Sequence, residues 1–138
     1  MKEVEYEEIF DEGVEKYAEH YNEETFLDKV KDIAVKAGGT VIYAALLLYE
    51  VLRDAYIPLK AKTIIVAALG YLILPLDFIP DIAPILGFSD DLAVLIYAIA
   101  KIREHITPVI RGRAIEKIEL LFPSLTKDEL NKIQETVK

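Results

Sequence analysis

Apolar residues return every three or four positions along most of the chain, and nowhere do they alternate with period two for long enough to make a strand. In the first quarter Val4, Ile9, Phe10, Val14, Tyr17 and Tyr21 follow this spacing with carboxylates between them, which predicts an amphipathic helix. Asn22 is placed to cap a second helix whose buried stripe is Phe26, Leu27, Val30, Ile33 and Ala34. The pair Gly38-Gly39 is expected to end it, because glycine takes the left-handed cap conformation without strain.

A segment at about 40–56 is apolar nearly all round (Val41, Ile42, Tyr43, Leu46, Leu47, Leu48, Val51, Leu52) and stops before Pro58. Leu59–Leu74 reads as the next helix and closes against Pro75. After a connector rich in proline and aspartate, Ser89 is expected to cap a helix from Asp90 to about Ile106. Thr107-Pro108 reads as a cap followed by proline at the first helical position, opening a helix that runs to about Phe122 and is weakened by Gly112. Thr126-Lys127-Asp128-Glu129 is a capping box for the last helix. The expected fold is all-α, a compact bundle of about six or seven helices around a central apolar hairpin. It is read as a single domain, 1–138, with acidic amphipathic helices at 1–36, a core at 43–101 and C-terminal helices at 107–138.

The connector, Pro75-Leu76-Asp77-Phe78-Ile79-Pro80-Asp81-Ile82-Ala83-Pro84-Ile85-Leu86-Gly87-Phe88-Ser89-Asp90-Asp91, is the most distinctive stretch. Carboxylates beside so much apolar surface are costly unless they are hydrated, hydrogen-bonded or bound to cations. Asp77, Asp81, Asp90 and Asp91 offer oxygen ligands for Ca²⁺ or Mg²⁺, although their spacing is not that of an EF-hand. A purely structural role accounts for them more simply, since carboxylates are common at helix starts. Asp90 and Asp91 would meet the positive end of a helix dipole, and Asp77 and Asp81 would bond backbone N–H groups in turns opened by Pro75, Pro80 and Pro84.

Hydropathy leaves two readings of the central hairpin. The uncharged runs are Ala37–Tyr49, Thr63–Leu76 and Leu92–Ala100. The longest, 14 residues, covers about 21 Å, short of a hydrocarbon core of about 30 Å. Yet helices apolar on every face are deeply buried or face lipid. Lys60 and Lys62 precede the hairpin and Lys101, Arg103, Arg111 and Arg113 follow it, as the positive-inside rule arranges a cytoplasmic side. Lysines also dress the helix ends of soluble proteins. Tyr43, Tyr49, Tyr56, Tyr71 and Tyr97 flank the apolar segments, which suits either a core or a membrane interface.

Charge and composition narrow the classes. The net charge of −8 sits wholly in residues 1–32, with 12 acidic and 4 basic residues, while the remainder is balanced. No basic stripe with interleaved aromatics occurs, so nucleic acid is not an expected partner. The chain has no cysteine, hence no disulfide framework, thiolate chemistry or cysteine zinc site. Its acidic start is unlike a secretory signal, and no secretory processing is expected.

No catalytic constellation emerges. His20 lies in an acidic helix and His105 near a helix C-terminus, where an imidazolium suits the dipole. Ser89 and Ser124 are the only serines and neither lies in a nucleophile elbow. No phosphate-cradling glycine loop, zinc-protease helix or dinucleotide fingerprint is present. A two-carboxylate hydrolase using Asp77 or Asp81 with Asp90 or Asp91 is formally open, with nothing to supply a substrate cleft.

The run Leu74–Asp81, followed by Pro84-Ile85-Leu86-Gly87 and Asp90-Asp91-Leu92, resembles the signature of the YkvA-like family, a bacterial domain family of unknown function. The matching positions are Pro75, Asp77, Pro80, Asp81, Pro84, Gly87, Asp90 and Asp91. Ala44–Tyr49, Pro58 and Ala67–Tyr71 are also similar to the segment leading into it, so the resemblance spans about 43–101. It implies a small membrane-associated protein with no established enzyme activity. The leading expectation is a non-enzymatic interaction or scaffold module, membrane-associated on the cytoplasmic side through the hairpin 59–106. A protein partner or a second copy is its expected company, with a basic partner for the acidic helices. The alternative is a soluble cytoplasmic helical bundle that binds Ca²⁺ or Mg²⁺ through the four aspartates.

Overall fold

The structure, a computed structural model, describes residues 21–78 and 88–137, and their side chains apart from 23, 32–37, 74–78 and 88–91. Six α-helices make up this part: α1 (Glu23–Ala37), α2 (Gly39–Leu52), α3 (Leu59–Phe78), α4 (Phe88–Lys101), α5 (Pro108–Leu121) and α6 (Lys127–Val137). A 3₁₀ turn, Arg103–His105, joins α4 to α5. No strand occurs among the described residues, as the period of the apolar positions leads one to expect. The helix expected from Val4 to Tyr17, His20 and the site residues Pro80, Asp81, Pro84 and Gly87 lie outside the described residues, as do the side chains of Ile33 and Ala34.

Local chemistry accounts for most of the helix ends. Asn22 caps α1, its Oδ1 accepting from Glu24 N–H at 2.9 Å. Gly38 then sits at φ 85°, ψ 162°, a region open essentially to glycine alone, and breaks the chain between α1 and α2. Gly39 does not belong to that break, contrary to the reading of the pair as one stop signal. It opens α2 instead, and a Cβ there would come within 2.8 Å of Ile133 Cδ1 on α6, so its smallness serves packing. Thr107 caps α5 by accepting from Ile110 N–H at 3.2 Å, with Pro108 in the first turn. In the capping box, Glu129 N–H reaches Thr126 Oγ1 at 3.1 Å and Thr126 N–H reaches Glu129 Oε1 at 3.3 Å.

Four boundaries differ from expectation. α2 ends at Leu52 rather than near 56, because Asp54 Oδ1 accepts from Tyr56 N–H at 3.0 Å and turns the chain, and the residue before Pro58 is disfavoured in helical backbone. α3 passes through Pro75 to Phe78. Proline costs a helix interior one N–H and crowds the carbonyl four residues back, but a single turn lies beyond it, so one bond is forfeited rather than the helix. α4 starts at Phe88, so Ser89 lies inside the first turn and is not its cap. It stops at Lys101 rather than Ile106, since Ile102 N–H is shared between Ala98 O and Ile99 O at 3.1 and 3.2 Å and the chain tightens to 3₁₀.

α2 is the axis of the bundle. Every residue from Val41 to Leu52 is buried, and α1, α3, α4, α5 and α6 all pack on it. That explains a helix apolar on every face: it has no face left for water. One core cluster runs from Phe26 and Val30 of α1 through α2 to Ile133 and Val137 of α6. Phe26 stacks on Tyr49 with ring centroids 5.0 Å apart, and the Arg53 guanidinium lies 5.6 Å over the same Tyr49 ring. α3 and α4 pack antiparallel, the start of one beside the end of the other.

Candidate functional site

The antiparallel pairing of α3 and α4 sorts charge by end. Asp77 falls in the last turn of α3 and Asp90 and Asp91 in the first turn of α4, so the helical register carries all three to the same end of the hairpin. Their side chains, and the whole of Asp81, lie outside the described residues. Pro75 lies within α3, one turn from the helix end. Among the described residues, no group of three or more His, Asp or Glu side chains is arranged to hold a metal ion.

The opposite end is basic and carries exposed apolar side chains. The 53–58 turn and the first turn of α3 bring Arg53, Lys60 and Lys62, all exposed, and the end of α4 brings exposed Lys101 and Arg103. Only Asp54 and Glu104 oppose them in these two segments. Tyr56 is 94% exposed and Leu59 78%, the large apolar groups of this end that the core leaves in water. Between the two segments lies an open cleft of about 220 Å³. Ala61, Ile64 and Ile102 form its apolar wall, and Lys60, Lys101 and His105 stand around it with Glu104 at the edge. Lys101 Nζ rests 5.2 Å above the Tyr97 ring, and His105 Nε2 lies 3.5 Å from Glu104 Oε1. His105 is thus a half-buried side chain paired to its neighbour, in the 3₁₀ turn rather than at the C-terminal end of α4.

A buried polar seam between α2 and α5 escaped the reading of the sequence. Glu50, 1% exposed, accepts a hydrogen bond from Lys117 Nζ through Oε1, and Arg53 Nη1 lies 3.6 Å from the same oxygen. Glu50 Oε2 is buried without a hydrogen-bond partner, as is the hydroxyl of Tyr43, two turns earlier on the same face of α2. Burial pushes the Tyr43 phenol above the ordinary tyrosine value, and the Arg111 guanidinium, near but short of good hydrogen-bonding geometry, opposes that rise. Arg111 and Lys117 flank the buried stripe Ile110, Ala114 and Ile118 of α5 on opposite sides, each reaching one of the two polar groups. The available signal was Glu50 itself, a lone carboxylate closing an uncharged run in a helix with no polar face. Its partner lies 67 residues away, and nothing local points to it.

Among the described residues, no helix is long and apolar enough to cross a membrane. The expectation of a transmembrane helix finds no support there, and the uncharged run inside α3 remains Thr63–Leu76.

Residues 61–97 match the model of a family described as a protein of unknown function (DUF1232). The match takes in α3 from Ala61, the connector with its aspartates and prolines, and α4 as far as Tyr97. It bears out the resemblance to a family of unknown function that the motif carries, over a narrower span than 43–101, and leaves Ala44–Tyr49 and Pro58 outside. No curated protein and no solved structure matches the chain. The family's description names no activity, and nothing in it points to catalysis.

Proposed function

We propose, since the family matched at residues 61–97 carries no stated function, that the protein is a non-catalytic helical module that docks peripherally on an anionic membrane surface through the basic end of its hairpin. The observation behind this reading is the exposure of Tyr56 and Leu59 in the midst of Arg53, Lys60, Lys62, Lys101 and Arg103. A tyrosine and a leucine at the tip of a cationic surface match the interfacial pattern, with apolar groups at the acyl boundary and cations at the headgroups. Each cation near an anionic leaflet contributes about 1 kcal/mol, and with Arg53 engaged by Glu50 four cations against two carboxylates leave about 2 kcal/mol. Partial insertion of Leu59 and Tyr56 adds about 2 kcal/mol. A total of about 4 kcal/mol corresponds to an affinity of roughly 10³ M⁻¹, weak and reversible. On this reading the acidic end of the hairpin points away from the bilayer and is left for a partner.

Sedimentation with vesicles tests it. Vesicles of phosphatidylcholine with phosphatidylglycerol should carry the protein down, pure phosphatidylcholine should not, and 0.5 M salt should release it. Leu59→Ser with Tyr56→Ser should weaken pelleting several-fold. If anionic vesicles leave the protein in the supernatant, the reading is wrong.

A second reading rests on the register that carries Asp77, Asp90 and Asp91 to one end of the hairpin. There, with Asp81, they would bind Ca²⁺ or Mg²⁺. Millimolar cation should then raise the melting temperature, and Asp77→Asn with Asp90→Asn should abolish the rise. An unchanged melting temperature removes this reading.

A further inference from the structure

The cleft between the start of α3 and the end of α4 has a size, a wall and a charge that suit one chemical group. Here an N-terminal and a C-terminal helix end lie side by side, so their dipoles offset each other and the side chains set the sign of the site. Those side chains are Lys60 and Lys101, with the paired His105 and Glu104 also in the lining. Glu104 is engaged at the edge with His105, and Lys101 is steadied over the Tyr97 ring. A volume of about 220 Å³ holds roughly seven waters, below the range of pockets for drug-sized ligands, and so fits a headgroup rather than a nucleotide. The apolar wall of Ala61, Ile64 and Ile102 offers a place for the carbon skeleton that carries the charge.

The geometry points to a phosphomonoester as the ligand of this cleft. A monoester has three unsubstituted oxygens and a charge approaching −2 at neutral pH, against one charge on a phosphodiester. Two ammonium groups lining one cleft, Lys60 and Lys101, favour the doubly charged group on that difference. The inference rests on the membrane reading for its lipid source, phosphatidic acid, whereas a soluble phosphomonoester offers the same chemistry without a membrane.

The test compares vesicles of phosphatidylcholine with phosphatidic acid or with phosphatidylglycerol at matched surface charge, and adds glycerol 3-phosphate in solution, followed by chemical-shift changes at His105 and Lys101. Phosphatidic acid should bind about tenfold more tightly than phosphatidylglycerol. Lys60→Gln with Lys101→Gln should erase that preference while leaving residual binding to phosphatidylglycerol through Arg53, Lys62 and Arg103. Lys127→Gln with Lys132→Gln, the same charge loss on α6, which meets the other end of α2 through Ile133 and Gly39, should leave it intact. Equal binding to the two lipids, with no shift by glycerol 3-phosphate, overturns the cleft assignment and leaves the membrane reading standing. Shifts by glycerol 3-phosphate with no vesicle binding uphold the cleft and overturn the membrane reading. Loss of the preference in the α6 variant reduces it to net charge and overturns the cleft.

Discussion

Replacing Lys117 by methionine should cost this protein more than most surface substitutions. Glu50 has no side-chain exposure and Lys117 Nζ is its closest cation, while Lys117 itself keeps 26% of its side chain in water. Removing one member of a buried pair leaves the other charge unsolvated, typically at 3–5 kcal/mol. Arg53 remains 3.6 Å from the same oxygen, but it is half exposed and partly screened. The expected loss therefore falls at the lower end, about 3 kcal/mol, or roughly 10 °C in melting temperature for a chain of this size. Changing Glu50 to methionine in the same background removes the stranded charge and the unpartnered Oε2 together. The double variant should return to within about 1 kcal/mol of the parent. Urea unfolding followed by circular dichroism at 222 nm, with the slope checked for constancy, measures all three proteins. Lys117→Met within 0.5 kcal/mol of the parent, or a double variant no better than the single, would refute the picture of a carboxylate held in the core by its lysine.

Other expectations follow from the same kind of reasoning. Tyr43→Phe removes a buried hydroxyl that makes no well-formed hydrogen bond, so at neutral pH it should stay within about 1 kcal/mol of the parent in urea. The folded protein holds the Tyr43 proton more tightly than the unfolded chain. That contribution is complete below about pH 10 and is lost as pH rises through the higher folded value, so the phenylalanine variant should lose less stability in alkali than the parent. Gly38→Ala should cost about 1–3 kcal/mol through its backbone conformation alone, since no atom lies within 4 Å of the added methyl. Gly39→Ala meets only the movable Cδ1 of Ile133 and should stay within about 0.5 kcal/mol, because better helix propensity offsets the adjustment. Thr107→Ala should destabilise by about 1 kcal/mol by freeing Ile110 N–H, and thermal unfolding of the variant against the parent checks it.

The parts of this fold that were legible in the sequence are those written within four residues of one another. Asn22, Thr107-Pro108 and Thr126-Glu129 each act on a backbone N–H in the next turn, so residue type and spacing carry the information. The end of α2 was misplaced because Asp54 acts as a turn former only once the chain has left the helix. The path of α3 through Pro75 was missed because a proline this near the end of a helix forfeits one backbone bond and does not stop the chain. Hydropathy of residues 41–52 fitted a core or a membrane equally well, since both are dry. Only the cover of five other helices separates them for α2. The aspartate motif was plain as a pattern and is matched by a family model, yet whether its carboxylates meet depends on contacts that spacing does not encode. The basic end was visible as lysines flanking a hairpin, whereas the exposure of Tyr56 and Leu59 beside them required the tertiary fold.

A helix walled in by five others sets an order of events when the chain is made. α2 leaves the ribosome before α3 to α6, which cover most of it and end only at Val137, 85 residues after Leu52. At about 5–20 residues per second that interval lasts roughly 4–17 s, during which an apolar helix waits beside α1 and whatever else is at hand. Truncation before α5 therefore removes more than a terminal element. It leaves the most hydrophobic helix of the protein permanently open, and fragments ending there should be recovered with chaperones, in aggregates or on membranes.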